Sequence, residues 1–511
     1  MNRISPPLLL GEGPGVGACF AACQTGRSRP GNQRATPMHK LRPYPEYKDT
    51  GQPWLGKVPS HWAVLPAFAV FKECNQPNKG LTETQVLSLS YGRIIKKHEN
   101  ALHGLVPTSF ETFQIIEPGN LILRLTDLQN DQRSLRVGLA KDRGIITSAY
   151  LCIEAKKRLL SEYSYYFFHS ADVQKVFYSM GSGLRQSMGF VDLRRLPILI
   201  PDISEQTQIV NFLDVFNKEV DTLIRAKRRL IELLNEQKQV IIQRAVTRGI
   251  DPNVRLKPSG IPWLGEIPES WEVVRLRNLV SKIDQGISPQ AEAMLADDQS
   301  WGVLKAGCVN GGIFRETEHK RLPSSIDVDT SISVRIGDVL VSRACGSPRF
   351  VGSVGQVLSL RYRLILSDKT FRLNFKEPRL AEFLVSAMNT RYFRTQVEQA
   401  ISGAEGLANN LPLSALKGFR IIVPPIYEAE KIAKRLRAIL SQINKHIETT
   451  TREIGIIREY SNRLMADAVT GKLDVRGMEL PMSDLADSPT DWEDDEADSL
   501  EECEEEVDAA E

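Results

Sequence analysis

The sequence predicts an α+β protein made of two similar domains, each followed by a long helix, and three observations lead to this prediction. A motif near the start, Gly51-Gln52-Pro53-Trp54-Leu55-Gly56, returns 209 residues later as Gly260-Ile261-Pro262-Trp263-Leu264-Gly265. Short apolar runs bounded by turn residues predict strands within each copy. Each copy then leads into a long stretch of apolar residues at heptad spacing. A period of this length indicates duplication of a whole domain with its helix, because solenoid repeats are much shorter.

The chain divides into six segments on these patterns. Residues 1–44 are rich in Gly, Pro, Ser and Arg and lack periodicity, so we expect a leader that is disordered or not native. The first domain is expected at 45–201, with strands at Gln85–Leu89, Leu121–Leu125 and Ile145–Ile153. The remaining segments are a long helix with a linker at 202–256, a second domain at 257–424, a second helix at 425–476 and an acidic disordered tail at 477–511.

The two long helices are expected to pair with each other. A helix with one apolar stripe is marginally stable alone in water and needs a partner for that stripe. A pseudo-twofold axis between the two copies would make the helices an antiparallel coiled coil and carry the domains to opposite ends of a rod. The alternative is that each helix packs only on its own domain.

Charge is distributed unevenly along the chain. The net charge is +2, but residues 484–511 hold fifteen acidic residues and no Lys or Arg. The rest of the chain therefore carries 65 basic and 48 acidic residues, which favours a polyanionic partner such as duplex DNA. No apolar stretch reaches the roughly 20 residues that a bilayer span needs, so we expect a cytoplasmic protein.

The sequence lacks the motifs that enzymes of nucleic-acid metabolism carry. It has no Gly-x-x-x-x-Gly-Lys-Ser/Thr phosphate loop and no Asn-Pro-Pro-aromatic tetrapeptide. The seven histidines fall at no metal-ligand spacing, and the seven cysteines form no Cys-x-x-Cys pair. We therefore predict a non-catalytic chain without a cofactor or metal of its own.

Basic and amide side chains cluster at corresponding places in both domains. Arg, Gln and Asn can form paired hydrogen bonds to guanine or adenine edges, whereas an ordinary solvated basic face is the alternative for any single residue. The candidate DNA contacts are Arg124, Arg133, Arg136, Arg185, Gln186 and Ser187 in the first domain, and Arg343, Arg349, Arg361, Arg363, Lys369, Asn409 and Asn410 in the second. The duplicated tryptophans could stack on bases, but we expect them to pack at the start of each domain. These tryptophans are Trp54, Trp62, Trp263 and Trp271.

Taken together, these motifs resemble the specificity subunit of type I restriction–modification systems. The resemblance is carried by Tyr44-Pro45-Glu46-Tyr47-Lys48-Asp49-Thr50-Gly51 with the Pro-Trp-Leu-Gly motif that follows, by the second copy from Ser259, by Gly337-Asp338-Val339-Leu340 and by Ala468–Asp474. It spans about Tyr44 to Arg476, whereas the leader and the acidic tail depart from the family pattern.

The resemblance implies a function. Each domain would read one half of a bipartite, asymmetric DNA site, and the paired helices would fix the gap between the halves. Two modification subunits would methylate adenine with S-adenosylmethionine, and two restriction subunits would use ATP and magnesium. The alternative from the residues alone is a protein–protein scaffold with two duplicated binding domains. A self-sufficient nuclease or methyltransferase is the third possibility, and the missing motifs argue against it.

Overall fold

A computed structural model describes residues 42–97, 110–129, 131, 134–180, 187–261, 264–401 and 409–478. Most of the expected leader and tail lie outside these ranges. Residues 42–44 belong to the folded body rather than to the leader, because Tyr44 is buried against the ring of Trp62. The Asp474 amide also donates a hydrogen bond to the Arg42 carbonyl over 2.8 Å, so the two ends of the described chain meet.

The first domain is built around an antiparallel four-stranded sheet, whose strands in order across the sheet are Val137–Leu139, Leu121–Leu123, Leu151–Ala155 and Phe71–Cys74. The helix Ser161–Val173 covers this sheet with Tyr163, Phe167 and Phe168, which are buried in the domain core. The elements are β1 Tyr47–Asp49, β2 Lys57–Pro59, β3 Ala63–Pro66, α1 Ala67–Val70, β4 Phe71–Cys74, β5 Gln76–Pro77, β6 Leu87–Ser90, β7 Arg93–Lys96, β8 Gln114–Ile116, β9 Leu121–Leu123, β10 Val137–Leu139, β11 Gly144–Ile146, β12 Leu151–Ala155, α2 Ser161–Val173, α3 Phe190–Leu193, β13 Pro197–Ile200 and the long helix α4 Ile203–Arg248.

The second domain repeats this sheet, and its corresponding strands in the same order are Val354–Gln356, Val339–Ser342, Thr370–Phe375 and Val280–Gln285. Apart from a bulge between Val280 and Lys282, the register repeats as well: Cys152 lies opposite Cys74 in the first sheet, and Arg372 lies opposite Asp284 in the second. The elements are β14 Leu256–Pro258, β15 Glu266–Pro268, β16 Glu272–Arg275, α5 Leu276–Leu279, β17 Val280–Gln285, β18 Trp301–Leu304, β19 His319–Arg321, β20 Val339–Ser342, β21 Ala344–Cys345, β22 Val354–Gln356, β23 Arg363–Ile365, β24 Thr370–Phe375, α6 Ala381–Met388, α7 Arg391–Ala400, β25 Asn409–Asn410, α8 Leu413–Gly418, β26 Arg420–Val423 and the long helix α9 Ile426–Val469.

One expected strand is two. The apolar run Ile145–Ile153 is interrupted by a turn in which the Tyr150 amide donates to the Thr147 carbonyl over 3.3 Å. β11 and β12 therefore belong to different sheets. The run gave no sign of this turn because the short polar segment inside it contains neither Pro nor Gly.

The long helices α4 and α9 pack against each other antiparallel, as predicted. Lys227 contacts Glu453 over 2.7 Å, and Lys238 contacts Asn444 over 3.1 Å, so the partner number falls as the first number rises. Gly455 leaves α9 continuous. A single glycine costs a helix only about 1 kcal/mol, and packing on α4 outweighs that cost.

Each long helix ends in the core of the other domain. Ala468 and Val469 at the end of α9 join the first-domain core beside Trp62, and the Tyr163 hydroxyl donates to the Val469 carbonyl over 3.2 Å. Val246 near the end of α4 joins the second-domain core beside Trp271. The helices therefore do not pack only on their own domains, and the pair ties both domains into one body. In the described ranges, no helix combines the length and apolarity needed to cross a membrane.

Candidate nucleic-acid interface

In both domains the same backbone hydrogen bond lies just past the carboxyl end of an inner strand of the main sheet, and we call this end of the sheet its edge. In the second domain the Leu411 amide donates to the Arg343 carbonyl just beyond β20, over 2.8 Å. In the first domain the Met188 amide donates to the Leu125 carbonyl just beyond β9, also over 2.8 Å. Leu125 and Arg343 therefore occupy equivalent places in the two domains, where the backbone arrangement is the same but the side chains differ.

Four of the predicted contact residues come together at this edge of the second domain, which we call the second-domain edge: Arg343, Lys369, Asn409 and Asn410. β25, formed by the two asparagines, pairs antiparallel with β21. The Arg343 amide donates to the Lys369 carbonyl over 2.8 Å, and its Nη1 donates to the Asp368 carbonyl over 3.0 Å. Arg343 and both asparagines remain partly exposed and Lys369 is exposed. Such a group can hydrogen-bond base edges and neutralise phosphates.

The other predicted arginines of this domain lie on other elements of the chain. Arg349 is exposed in a short 3-10 turn after β21 and lies over the Phe350 ring. Arg361 and Arg363 belong to the separate three-stranded sheet β19-β18-β23 or the segment leading into it. Arg361 lies over the Tyr362 ring at 5.6 Å. The stretch that looked like one basic cluster in the sequence is therefore divided between two sheets.

Arg136 is not a DNA contact, contrary to the prediction. Its side chain is fully buried, and its Nε donates to the Tyr178 hydroxyl over 3.0 Å. The guanidinium otherwise satisfies the carbonyl oxygens of the loop between β9 and β10, namely those of Arg124, Thr126, Asp127 and Asp131. A buried carbonyl without a donor is costly, which explains why an arginine with five N–H groups stands here. Arg124 is about one third exposed and lies 3.5 Å from Asp131.

Arg372, which follows the second-domain cluster in sequence, is also structural. Its guanidinium contacts Asp284 over 2.9 Å and Asp338 over 3.2 Å, with little exposure of any of the three side chains. Burial alone would raise the pKa of Asp284, but hydrogen bonds from Lys282, Arg372 and Asn374 outweigh burial and lower that pKa to about 2. Asp338 of the Gly337-Asp338-Val339-Leu340 segment thus belongs to an ion-pair network inside the sheet.

The remaining predicted residues fall into two groups. Trp62 and Trp271 are fully buried, so neither ring offers a face to a base. Trp54 is partly buried and packs on the Phe167 ring at 5.8 Å. Ser187 is exposed and precedes Met188, whose amide donates to the Leu125 carbonyl. Arg133, Arg185, Gln186 and Trp263 lie outside the described residues.

Two polar residues that the sequence did not single out lie beside the second-domain edge. The Gln285 side chain donates to the Asp368 carbonyl over 2.9 Å, and the Ser288 hydroxyl contacts the Asp368 carboxylate. Between them, Gly286 lies so close to the Leu366 carbonyl that a Cβ atom would sit 1.8 Å from its oxygen. Only the register of β17 against β24 brings this segment to the edge, so no local pattern could have found it.

Comparisons with known proteins point to one family. Residues 136–233 and 268–453 match the model of the type I restriction modification DNA specificity domain. The chain is 26% identical over 375 residues to the type I restriction enzyme MjaVIII specificity subunit of Methanocaldococcus jannaschii, covering 71% of this chain and 82% of that protein. It is 28% identical over 296 residues to the putative MjaX specificity subunit of the same organism, covering 57% of this chain and 63% of that protein.

A solved structure shares the fold. Its description reads "Structural basis underlying complex assembly and conformational transition of the type I R-M system", and one of its chains aligns with a TM-score of 0.56 at 15% identity. The alignment covers 81% of this chain and 98% of that one. The matched family segments take up more than half of the sequence, and the chain therefore belongs to the family of type I restriction–modification DNA specificity subunits.

Proposed function

We propose that this chain reads a bipartite, asymmetric DNA site, with one half recognised by each domain. The observation that carries the proposal is that both domains have the same backbone hydrogen bond at the edge of the main sheet but different side chains there. Where the second domain has Arg343, the first has Leu125 on the same backbone frame. Asymmetric side chains on equivalent frames suit two half-sites of different sequence.

The paired helices fix the distance between the two reading surfaces. α4 has 46 residues and is therefore about 69 Å long at 1.5 Å per residue. Because each helix is anchored in the core of the opposite domain, the rod transmits its length directly to the separation of the domains. The gap between half-sites follows from helix length in this proposal.

The chain supplies recognition, and its partners supply the chemistry. Two modification subunits dock on this body and methylate adenine with S-adenosylmethionine, and two restriction subunits add ATP- and magnesium-dependent translocation and cleavage. No catalytic role is assigned to a residue of this chain. Purified alone, it neither methylates nor cuts DNA.

The test is binding by the chain reconstituted with its cognate modification subunit. Methylome sequencing of the host supplies the bipartite adenine-methylated motif, and gel shifts compare that duplex with a random one. The double substitution Asn409→Ala and Asn410→Ala should weaken binding at least about 30-fold, because two good contacts to base edges at about 1–3 kcal/mol each sum to at least about 2 kcal/mol. The loss should depend on the sequence of one half-site only.

The matched control is Asn253→Ala, an exposed asparagine in the linker after α4. It should leave the affinity unchanged. Equal affinity of the reconstituted complex for the methylated motif and for random DNA would contradict the proposal and favour a protein–protein scaffold.

A further inference from the structure

An open groove of about 850 Å³ lies where the end of α4, the linker after it and α9 meet beside the second domain. Its apolar lining includes Ile439 and Val240, whose side chain is strongly exposed. Four arginines line the groove: Arg244, Arg248, Arg391 and Arg435. We call this surface the arginine groove.

The equivalent place at the other end of the rod is filled. The two long helices correspond with an offset of 223 residues, since Ile209 and Ala245 of α4 match Ile432 and Ala468 of α9. Arg435 and Ile439 therefore occupy the places of Phe212 and Phe216. Those two rings stack at 6.1 Å and are buried in the first-domain core. The arginine groove is thus a property of one end and not a by-product of the duplication.

The charge of the groove is mostly unneutralised by the described part of the chain. Arg244, Arg248 and Arg435 are exposed and form no ion pair with a described residue, whereas Arg391 contacts Glu398 over 3.0 Å. Asp251 is the only carboxylate among the residues lining the groove. The end of α4 adds about half a negative charge, which is small beside the three guanidinium groups of Arg244, Arg248 and Arg435. The groove is built for an anionic partner with apolar side chains.

We propose that the acidic tail of this same chain, residues 484–511, occupies the arginine groove. The tail combines fifteen acidic residues with apolar residues spaced among them, and it has no Lys or Arg. The spaced apolar residues are Leu485, Trp492, Leu500 and Val507. This pattern complements a groove lined by both arginines and apolar side chains. A DNA backbone would satisfy the arginines but would leave the apolar lining uncovered.

The tail can reach the groove within one molecule. The described chain ends near Met478, which packs on the first-domain core beside the end of α9. From Ala468 back to Arg437, which lies level with the groove, α9 rises about 46 Å at 1.5 Å per residue. The segment from 478 to 500 spans up to about 75 Å when extended, at 3.3–3.6 Å per residue. The required extension is about two thirds of that length.

Photocrosslinking in the full-length chain tests the contact. With Leu500 replaced by p-benzoylphenylalanine, irradiation should link the tail to peptides from 239–256 and 435–439, as identified by mass spectrometry. Mixing isotopically heavy and light chains separates links within one molecule from links between copies. Links confined to one isotope class support the proposal. Links between copies, links to the second-domain edge, or an even spread over the surface would overturn it.

Charge reversal provides the matched comparison. Arg244→Glu with Arg435→Glu should reduce the groove crosslinks at least tenfold, and 0.5 M salt should reduce them similarly. Arg420→Glu with Arg452→Glu makes the same charge change at exposed arginines outside the groove and should leave the crosslinks unchanged. Equal losses in both pairs, with unchanged circular dichroism, would show that only net charge matters. A loss of DNA affinity caused by the groove pair in a chain lacking the tail would instead assign the arginines to DNA and overturn the proposal.

Discussion

At the scale of single residues, burial decides what each arginine does. Arg136 and Arg372 are enclosed, and their guanidinium groups are used up on carbonyl and carboxylate oxygens. Arg343 is held at one nitrogen and stays partly exposed, which leaves it available to a ligand. Arginines that look alike in the sequence therefore have different roles. Arg136 and Arg372 are structural, whereas Arg343 is a candidate DNA contact.

Replacing the enclosed arginine should destabilise the first domain. Arg136→Met keeps much of the volume but removes the donors to several loop carbonyls, so the free energy of unfolding should fall by about 3 kcal/mol. Urea denaturation followed by fluorescence measures the change. Arg124→Ala, at a partly exposed neighbour, should cost less than 1 kcal/mol. A loss below 1 kcal/mol for Arg136→Met would show that the loop rearranges without strain.

His169 gives the first domain a measurable pH dependence. Burial lowers the pKa of His169 to about 4, so the folded state holds it neutral while the unfolded state takes up a proton near pH 6.5. The contribution to stability is therefore present above pH 6.5 and is lost as the pH falls toward 4. Relative to His169→Leu, the wild type should lose about 2 kcal/mol between pH 7.5 and pH 5. A constant difference between the two proteins across this range would contradict the buried neutral state.

The sequence shows where basic residues cluster, but it does not show which of them are buried and which are available to DNA. Arg124, Arg136 and Arg343 all stand near apolar strands in polar surroundings, and nothing local distinguishes them. Which one is buried depends on pairing between strands far apart in sequence, because the loop between β9 and β10 folds over Arg136. The same dependence on register concealed Gln285 and Ser288.

At the scale of elements, the long helices were the most predictable part of the molecule. Heptad spacing, together with the absence of Pro and Gly from α4, predicts both the length of the helices and their pairing, because the apolar stripe needs a partner along its whole length. The crossing of each helix end into the opposite domain was less visible. At the end of α9 it depends on Gly471, whose backbone approaches Pro59 and Trp62 and has a positive φ of 72°.

Gly471 should therefore tolerate no side chain. In Gly471→Ala the new Cβ would sit 2.3 Å from Pro59 Cδ, so strain from the positive φ is joined by overpacking. Thermal unfolding should show a loss of about 3 kcal/mol. Gly477→Ala is the control, since its φ is 74° but no atom lies within 4 Å of the added Cβ, and it should lose only about 1 kcal/mol. Equal losses would mean that backbone strain alone accounts for the effect.

Helix length should set the spacing of the DNA site. Inserting one heptad into each of α4 and α9 lengthens the rod by about 10 Å at 1.5 Å per residue. This is roughly three base-pair rises at ~3.4 Å each, with about a third of a turn of the duplex. Methylome sequencing of a strain carrying the reconstituted system should show a longer gap or no methylation, with the same bases read. An unchanged gap would show that the helices do not measure it.

At the scale of the whole molecule, duplication produced a body with similar frames and different surfaces. The four-stranded sheets repeat in order and register, yet a cysteine pair in one stands where an Asp–Arg pair stands in the other. Likewise, the stacked rings of Phe212 and Phe216 fill one end of the helix pair, whereas the equivalent place at the opposite end is the arginine groove. The two halves of the chain share their core and their long helix but differ in their candidate binding surfaces. We therefore expect each domain to recognise its half-site independently.

Domain exchange tests this independence. Replacing residues 45–200 by the same region of a relative should change one half of the recognised site and leave the other half and the gap intact. The reason is that the second-domain edge is assembled within the second domain, from β21, β25 and the segment before β24. The foreign domain must still accept Ala468 and Val469 of α9, so a relative with small or branched apolar residues at these places should be chosen. Methylome sequencing of the exchanged system reports both halves at once. If both halves changed together, the two domains would be reading DNA jointly, and the assignment of one half-site to each domain would be wrong.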